Sequence, residues 1–396
     1  MLNQHMVALG NNRSTIRELF EYGNQRAAVV GRENVFDFSI GNPNVPAPDA
    51  VREAILAEAA GDPVSLHGYT SAQGAADARK ALADDLNRRF GTSYTGDSLY
   101  LTAGAAAALS CAFQAIACPG DEFVVLAPYF PEYLMFIESG AGAKAVIVPP
   151  SIADFQIDFD ALEKALNAHT KAVVVNSPNN PSGAVYSEQT VKQLAALLRD
   201  KEAQYGHPIY LVSDEPYREI VYDGVQVPFV PNYYDDTIVC YSYSKSLSLP
   251  GERIGYVLVP PQAADSADLY AAVCGAGRAL GYVCAPSLFQ RVAARCAGQT
   301  SDISVYQTNR DLLYEGLTSM GYSCVKPQGA FYLFPQTLEP DDRAFCERAK
   351  KYDLLVVPGA DFGAPGHMRI SYCVQTETIR RALPLFAELA KEYQND

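Results

Sequence analysis

Tryptophan is missing from this chain, and the residues that build metal centres are few and scattered. The five histidines stand at 5, 67, 169, 207 and 367, with no ligand-pair spacing among them. The nine cysteines, at 111, 118, 240, 274, 284, 296, 324, 346 and 373, include no C-x-x-C pair. That pattern excludes the common zinc signatures and a thioredoxin-like redox motif. Cys240 lies inside Thr-Ile-Val-Cys-Tyr, an apolar run. The thiols therefore read as free cysteines of a reducing compartment, and the protein as cytoplasmic. No apolar stretch approaches the roughly 20 residues that span a bilayer, and Met1–Arg13 shows no apolar core of a secretory signal. Basic excess is missing too. A formal net charge of -14 argues against nucleic acid as a partner, because phosphate binding needs clustered Lys and Arg. Neither an internal repeat nor a low-complexity tract is present.

What is present is an α/β pattern. At 396 residues the chain is too long for one simple core and suits two domains. Candidate strands are Leu99–Thr102, Phe123–Leu126, Ala145–Val148, Ala172–Asn176, Ile209–Ser213, Ile238–Tyr241 and Ile254–Val259. Each is rich in Val, Ile, Leu or Tyr and is bounded by Gly, Pro, Asp or Asn. Amphipathic stretches such as Ser187–Gln204 lie between several of them. Such alternation predicts a large domain with a mostly parallel seven-stranded sheet covered by helices. The tail reads differently. A long helix over Ser301–Met320 precedes short strands at Tyr322–Val325 and Ala330–Phe334, then a helix, two strands and the helix Thr376–Tyr393. We expect a large domain over 36–285 and a smaller α+β domain from 286–396 with residues 1–35. The stretch before Phe36 is expected to pack on that smaller domain or on a second subunit.

Four motifs carry chemistry. Ser242-Tyr243-Ser244-Lys245, followed by Pro250-Gly251-Glu252-Arg253, sets a lysine at the end of an apolar strand. An unpaired ammonium is costly to bury, unless the amine is consumed in a Schiff base with a carbonyl cofactor. Ser242, Ser244 and Arg253 then suit a phosphate. Taken alone, the motif also fits a solvated surface loop. Val212-Ser213-Asp214-Glu215-Pro216-Tyr217 places a carboxylate where open α/β sheets bind ligands. An anion there would keep a pyridine nitrogen protonated, with Tyr217 donating to a phenolic oxygen. Asp is also a common helix cap. Asn176-Ser177-Pro178-Asn179-Asn180-Pro181-Ser182-Gly183 is either a turn-rich link or a frame that aims the Asn180 amide at cofactor and substrate. Thr102-Ala103-Gly104-Ala105-Ala106 reads as strand, glycine turn and helix, whose free N–H groups at Ala105 and Ala106 make an anion cradle.

In order and separation, these motifs resemble the fold-type-I pyridoxal-phosphate aminotransferases of class I/II, from about Phe36 to the C-terminus. The resemblance implies pyridoxal 5'-phosphate as cofactor, with Lys245, Asp214 and Tyr217 as its catalytic residues. Gly104, Ala105, Ala106, Asn180, Ser242, Ser244 and Arg253 would complete the cofactor site. It extends to Pro128-Tyr129-Phe130-Pro131, where Phe130 would stack on the pyridine ring. The family often has tryptophan there. Gly68-Tyr69-Thr70 resembles the segment whose tyrosine reaches a neighbouring subunit's phosphate, so Tyr69 implies a homodimer with shared active sites. Ser39-Ile40-Gly41-Asn42-Pro43 looks like a glycine loop beside the substrate carboxylate. Arg369, in His367-Met368-Arg369-Ile370-Ser371, should grip that carboxylate as a bidentate fork.

The implied reaction moves an amino group from an L-amino acid to a 2-oxo acid, with Lys245 as general base and then acid. A lysine that holds a distal carboxylate in aspartate-using relatives is matched here by Ala106. Arg278 is then either a replacement reaching across a dimer or a surface arginine. Two alternatives stand beside transamination: a lyase cleaving Cβ–S bonds on the same scaffold, and a non-catalytic protein retaining the cofactor fold.

Overall fold

The computed structural model describes residues 2–11 and 14–394. Residues 1, 12, 13, 395 and 396 belong to the stretches assigned above to the small domain, three of them within Met1–Arg13, and lie outside the described residues.

Seven strands build the central sheet: β1 (Leu99–Thr102), β2 (Glu122–Leu126), β3 (Lys144–Val148), β4 (Thr170–Asn176), β5 (Tyr210–Asp214), β6 (Thr237–Ser242) and β7 (Gly255–Leu258). Their spatial order is β1-β7-β6-β5-β4-β2-β3. Only β7 runs against its neighbours; the other pairings are parallel. Except at the partly exposed edge strand β3, both faces are covered, which explains why the strands read as apolar runs rather than alternating. In β2, Phe123 and Val125 join a cluster with Ala108 and Phe113 of the helix Ala105–Ile116. Val124 and Leu126 join Val191, Leu194 and Leu198 of the helix Glu188–Tyr205 on the opposite face. Each such side chain contributes roughly 1.5–3 kcal/mol when fully buried, so the sheet is a stiff frame.

The frame brings three strand ends together. Asn176 of β4 lies level with Asp214 of β5, and Asp214 with Cys240 of β6. β6 continues two residues further to Ser242, and the short helix Tyr243–Ser246 follows at once. Ligands of open parallel sheets bind at this edge.

The C-terminal part packs the helices Ser304–Ser319 and Thr376–Lys391 around Leu313, Leu317, Ile379 and Phe386. Beside them lies a three-stranded antiparallel sheet of Val357–Pro358, Met368–Ser371 and Tyr332–Leu333. Phe36–Asp37 pairs in parallel with Leu354–Leu355. The helix Thr15–Val30, capped by Ser14, rests on this part through Leu19, clustered with Phe334, Leu355 and Phe362. Its Arg26 pairs with Asp353 at 2.6 Å. One expected strand does not form. Tyr322–Val325 lies between the helix Ser304–Ser319 and the strand Tyr332–Leu333 without joining either sheet. Within it only the Ser323 carbonyl accepts a strand-like bond, from Gln336 N at 2.8 Å, so its β-favouring residues have no ladder to enter. No helix among the described residues is long and apolar enough to cross a membrane.

Candidate active site

A cavity of about 310 Å³ opens at the ends of β4, β5 and β6. Gly41, Ala105, Ala106, Phe130, Asn180, Asp214, Tyr217, Ser242, Ser244, Lys245, Arg253 and Arg369 all line it. Residues drawn from the whole length of the sequence thus meet in one place.

Lys245 sits on the short helix after β6, whose start is fixed by Ser242: its hydroxyl oxygen accepts from Ser244 N at 3.0 Å. The Lys245 ammonium donates to the Gly41 carbonyl at 2.6 Å. Burial drives its pKa down to about 8, and the cations Arg369 and Arg253 push the same way, against Cys373. Near physiological pH a larger share of the amine is therefore neutral, and able to act as nucleophile and base, than for an ordinary lysine.

Asp214, the last residue of β5, is buried and has one side-chain partner: Tyr133 donates its hydroxyl to Oδ2 at 2.5 Å. Oδ1 has none. Burial raises the carboxyl to about 7, while the Tyr133 bond lowers it and Glu215 raises it. Asn176 fixes the backbone here, donating Nδ2 to the Asp214 carbonyl at 2.8 Å and accepting from Asn180 N at 2.7 Å.

Arg369 is a buried cation, 2 % exposed, with no carboxylate paired to it among the described residues. Its guanidinium lies over the Tyr332 and Phe362 rings at 4.7 and 4.8 Å. It donates to Asn180 Oδ1 at 3.1 Å and to the Ser39 carbonyl at 2.5 Å, leaving Nε unsatisfied. Burial lowers its pKa, yet a guanidinium stays charged. A buried cation of this kind needs an anionic ligand. Tyr217 shares a hydrogen bond with the Tyr332 hydroxyl at 2.9 Å, and burial pushes its own hydroxyl well above the usual range.

The remaining corner suits a phosphate. Arg253 is exposed, with a left-handed φ of 53°, and is tied only to the Pro250 carbonyl at 3.0 Å. Gly104 has φ 84°, and a Cβ there would stand 2.7 Å from an Arg253 terminal nitrogen. Its left-handed φ favours glycine at this position. Ala105 and Ala106 begin a helix whose first N–H groups have no intrahelical acceptor.

Two expected residues lie apart. Tyr69 is 90 % exposed and Arg278 is exposed, and neither lines the cavity. Conversely, the cavity takes in Tyr332, Asn176 and Ile16, which sequence reasoning did not single out, and Tyr133 stands directly behind Asp214. A usable signal existed for the tyrosines. A tyrosine hydroxyl inside an apolar segment must find a partner, and Tyr133 follows Phe130 by one helical turn.

An amine, a carboxylate oxygen without a partner and an arginine without a carboxylate thus share one cavity, an arrangement able to take an anionic, carbonyl-bearing ligand. The chain belongs to the aminotransferase class I and II family, whose model matches residues 33–384. It is an aminotransferase. It is 33 % identical over 374 residues to an aspartate/prephenate aminotransferase of Thermus thermophilus, covering 92 % of this chain and 94 % of that one. A solved amino transferase structure from Eubacterium rectale matches at a TM-score of 0.97 and 59 % identity, covering 99 % of both chains. The Thermus thermophilus aspartate aminotransferase with maleate matches at 0.85 and 30 %, covering 98 % of this chain and 99 % of that one. The aminotransferase reading thus prevails over the lyase.

Proposed function

We propose that this aminotransferase uses pyridoxal 5'-phosphate, with Lys245 as the residue that binds its aldehyde. The observation that carries the reading is that Lys245, the unsatisfied Oδ1 of Asp214 and the uncompensated Arg369 all open on one cavity. The residues fit such a cofactor: Asp214 for the ring nitrogen, Phe130 for the ring face, and Tyr217 and Asn180 for the phenolic oxygen. Ser242, Ser244, Arg253 and the N–H groups at Ala105 and Ala106, beside Gly104, would take the phosphate. Bound pyridoxal phosphate supplies an aldehyde that condenses with amines and a ring that accepts the electron pair left at the substrate α-carbon.

The chain's own residues do the rest. Asp214 Oδ1 holds the proton of a ring nitrogen by charge and hydrogen bond. Arg369 grips the α-carboxylate, and Gly41 leaves room beside it. Lys245 Nζ takes the α-proton and later gives it back, a role suited to an amine whose burial keeps it near neutrality. The cavity offers a second carboxylate no cation beyond Lys245, Arg253 and Arg369. In a homodimer, Arg278 is the candidate for that task, and the partner's Tyr69 the candidate for the phosphate. We further assign residues 36–285 to a cofactor-binding domain and 1–35 with 286–396 to a smaller one. Nine unpaired thiols support a cytoplasmic location.

The test is a paired screen of amino acids and 2-oxo acids on purified holoenzyme, following half-reactions by the cofactor's visible absorbance. One amino acid should bleach the aldehyde form and one 2-oxo acid should restore it. Ammonia release without that reversal would refute the reading.

A further inference from the structure

Asp214 has an unusual environment for a carboxylate that must stay ionised. It is buried at the end of β5, among apolar and aromatic groups. Its acidic neighbour Glu215 is turned away, accepting from the Ser213 hydroxyl at 2.7 Å and from Arg218 Nε at 2.5 Å. No cationic side chain is paired with Asp214 among the described residues. A buried anion of this kind reverts to its neutral form unless donors hold it. One donor is present. Tyr133 is 2 % exposed, and its hydroxyl reaches Oδ2 at 2.5 Å.

The tyrosine is itself held in place. Its N–H donates to the Phe130 carbonyl at 3.0 Å, and its ring meets Phe130 edge-on at 5.6 Å between centroids. The same short turn therefore carries both the aromatic ring that lines the cavity and the hydroxyl behind the carboxylate. We propose that Tyr133 is a positioning residue that keeps Asp214 ionised and aimed, so that Oδ1 is left free for the cofactor's ring nitrogen. The inference rests on the pyridoxal-phosphate reading above. Without the hydroxyl, neither carboxylate oxygen has a side-chain donor, and the proton shared with the ring nitrogen moves toward Asp214. A neutral ring is a poorer electron acceptor.

The alternative role for Tyr133 is packing alone, and Tyr133→Phe separates the two because it keeps the ring. The experiment loads the wild-type and variant chains with pyridoxal phosphate labelled with 15N in the ring. First, borohydride fixation and peptide mass establish whether the wild-type cofactor sits on Lys245. If it does not, the cofactor reading fails and this inference falls with it. With the cofactor in place, the wild-type ring nitrogen should resonate at its protonated position at neutral pH. In Tyr133→Phe the resonance should move toward the unprotonated position, and the cofactor dissociation constant should rise about tenfold, the scale of one hydrogen bond to a charged group. In an Asp214→Asn background the same tyrosine change should cost less than about twofold, because no anion remains to be held. A wild-type nitrogen resonance in Tyr133→Phe, or an equal loss of affinity in both backgrounds, would overturn the inference while leaving the cofactor reading intact.

Discussion

The Lys245 ammonium donates to the Gly41 carbonyl at 2.6 Å, joining the strand-end helix to a segment 204 positions earlier in the chain. Across from Gly41, the Tyr332 hydroxyl fills the space a Cβ would need, so the loop can bring its carbonyl close only with glycine at that position. The contact holds the amine inside the cavity when it is not otherwise engaged. Lys245→Ala should therefore abolish the cofactor linkage and lower turnover by at least about a thousandfold, with the circular dichroism spectrum unchanged. Retention of full activity in single-turnover assays would remove Lys245 from the mechanism.

Function at this lysine conflicts with stability. Its pKa falls from the usual 10.5 to about 8 because burial disfavours the charged form. A base depressed in the folded state destabilises the fold below about pH 8, and the penalty fades as pH rises through 8 toward 10.5. The side chain reaches some solvent, which trims the effect to about 2 kcal/mol. Apoprotein carrying Lys245→Met should thus resist urea better than wild type at pH 7, and the advantage should vanish by about pH 10.5. A constant difference across that range would mean that the amine is not desolvated in solution.

Arg369 needs its planar fork because each arm already has an assigned direction. One nitrogen donates to Asn180 Oδ1, another to the Ser39 carbonyl, and two aromatic rings clamp the plane. A lysine offers one point charge and cannot reproduce that geometry. Arg369→Lys should raise KM for the amino acid by about tenfold to a hundredfold. Cofactor affinity should stay near wild type, because Arg369 is assigned to the substrate. A matching loss of cofactor affinity in equilibrium dialysis would place Arg369 on the wrong ligand.

Much of this frame was legible from sequence because parallel strands buried on both faces are written as short apolar runs. All seven form within two residues of their expected bounds. Lys245, Asp214 and Asn180 were legible for a related reason: polar residues directly after such runs fall at the ligand-binding edge. For Tyr133 and Tyr332 the sequence signals only that a hydroxyl in an apolar segment needs a partner, not which one. Their partners Asp214 and Tyr217 lie 81 and 115 positions away, and no local pattern announces a pairing made by tertiary packing. The failed strand at Tyr322–Val325 has the same origin. Its residues favour extended backbone, but whether a neighbour supplies a ladder is decided elsewhere in the chain.

Tyr69, like Arg278, is an expected residue that the single chain leaves outside its own cavity. It follows the helix Pro63–His67, with Val64 80 % exposed there. Gln290 donates to the Thr70 hydroxyl at 3.1 Å and to the Ala285 carbonyl at 2.7 Å, which ties this segment to Ala285, two residues after exposed Val283. Exposed apolar and aromatic side chains such as Val64, Tyr69 and Val283 are what a self-complementary dimer would bury. In such a dimer each cavity uses its own Lys245 and the partner's Tyr69. Tyr69→Ala alone should weaken cofactor binding about tenfold. Subunits carrying Lys245→Ala and subunits carrying Tyr69→Ala, unfolded and refolded together at limiting cofactor, should regain about a quarter of wild-type activity, because half the dimers are mixed and each holds one intact site. Sedimentation should report a dimer throughout. If the mixture shows only the average of the two parent variants, Tyr69 serves its own subunit or none, and the shared site is refuted.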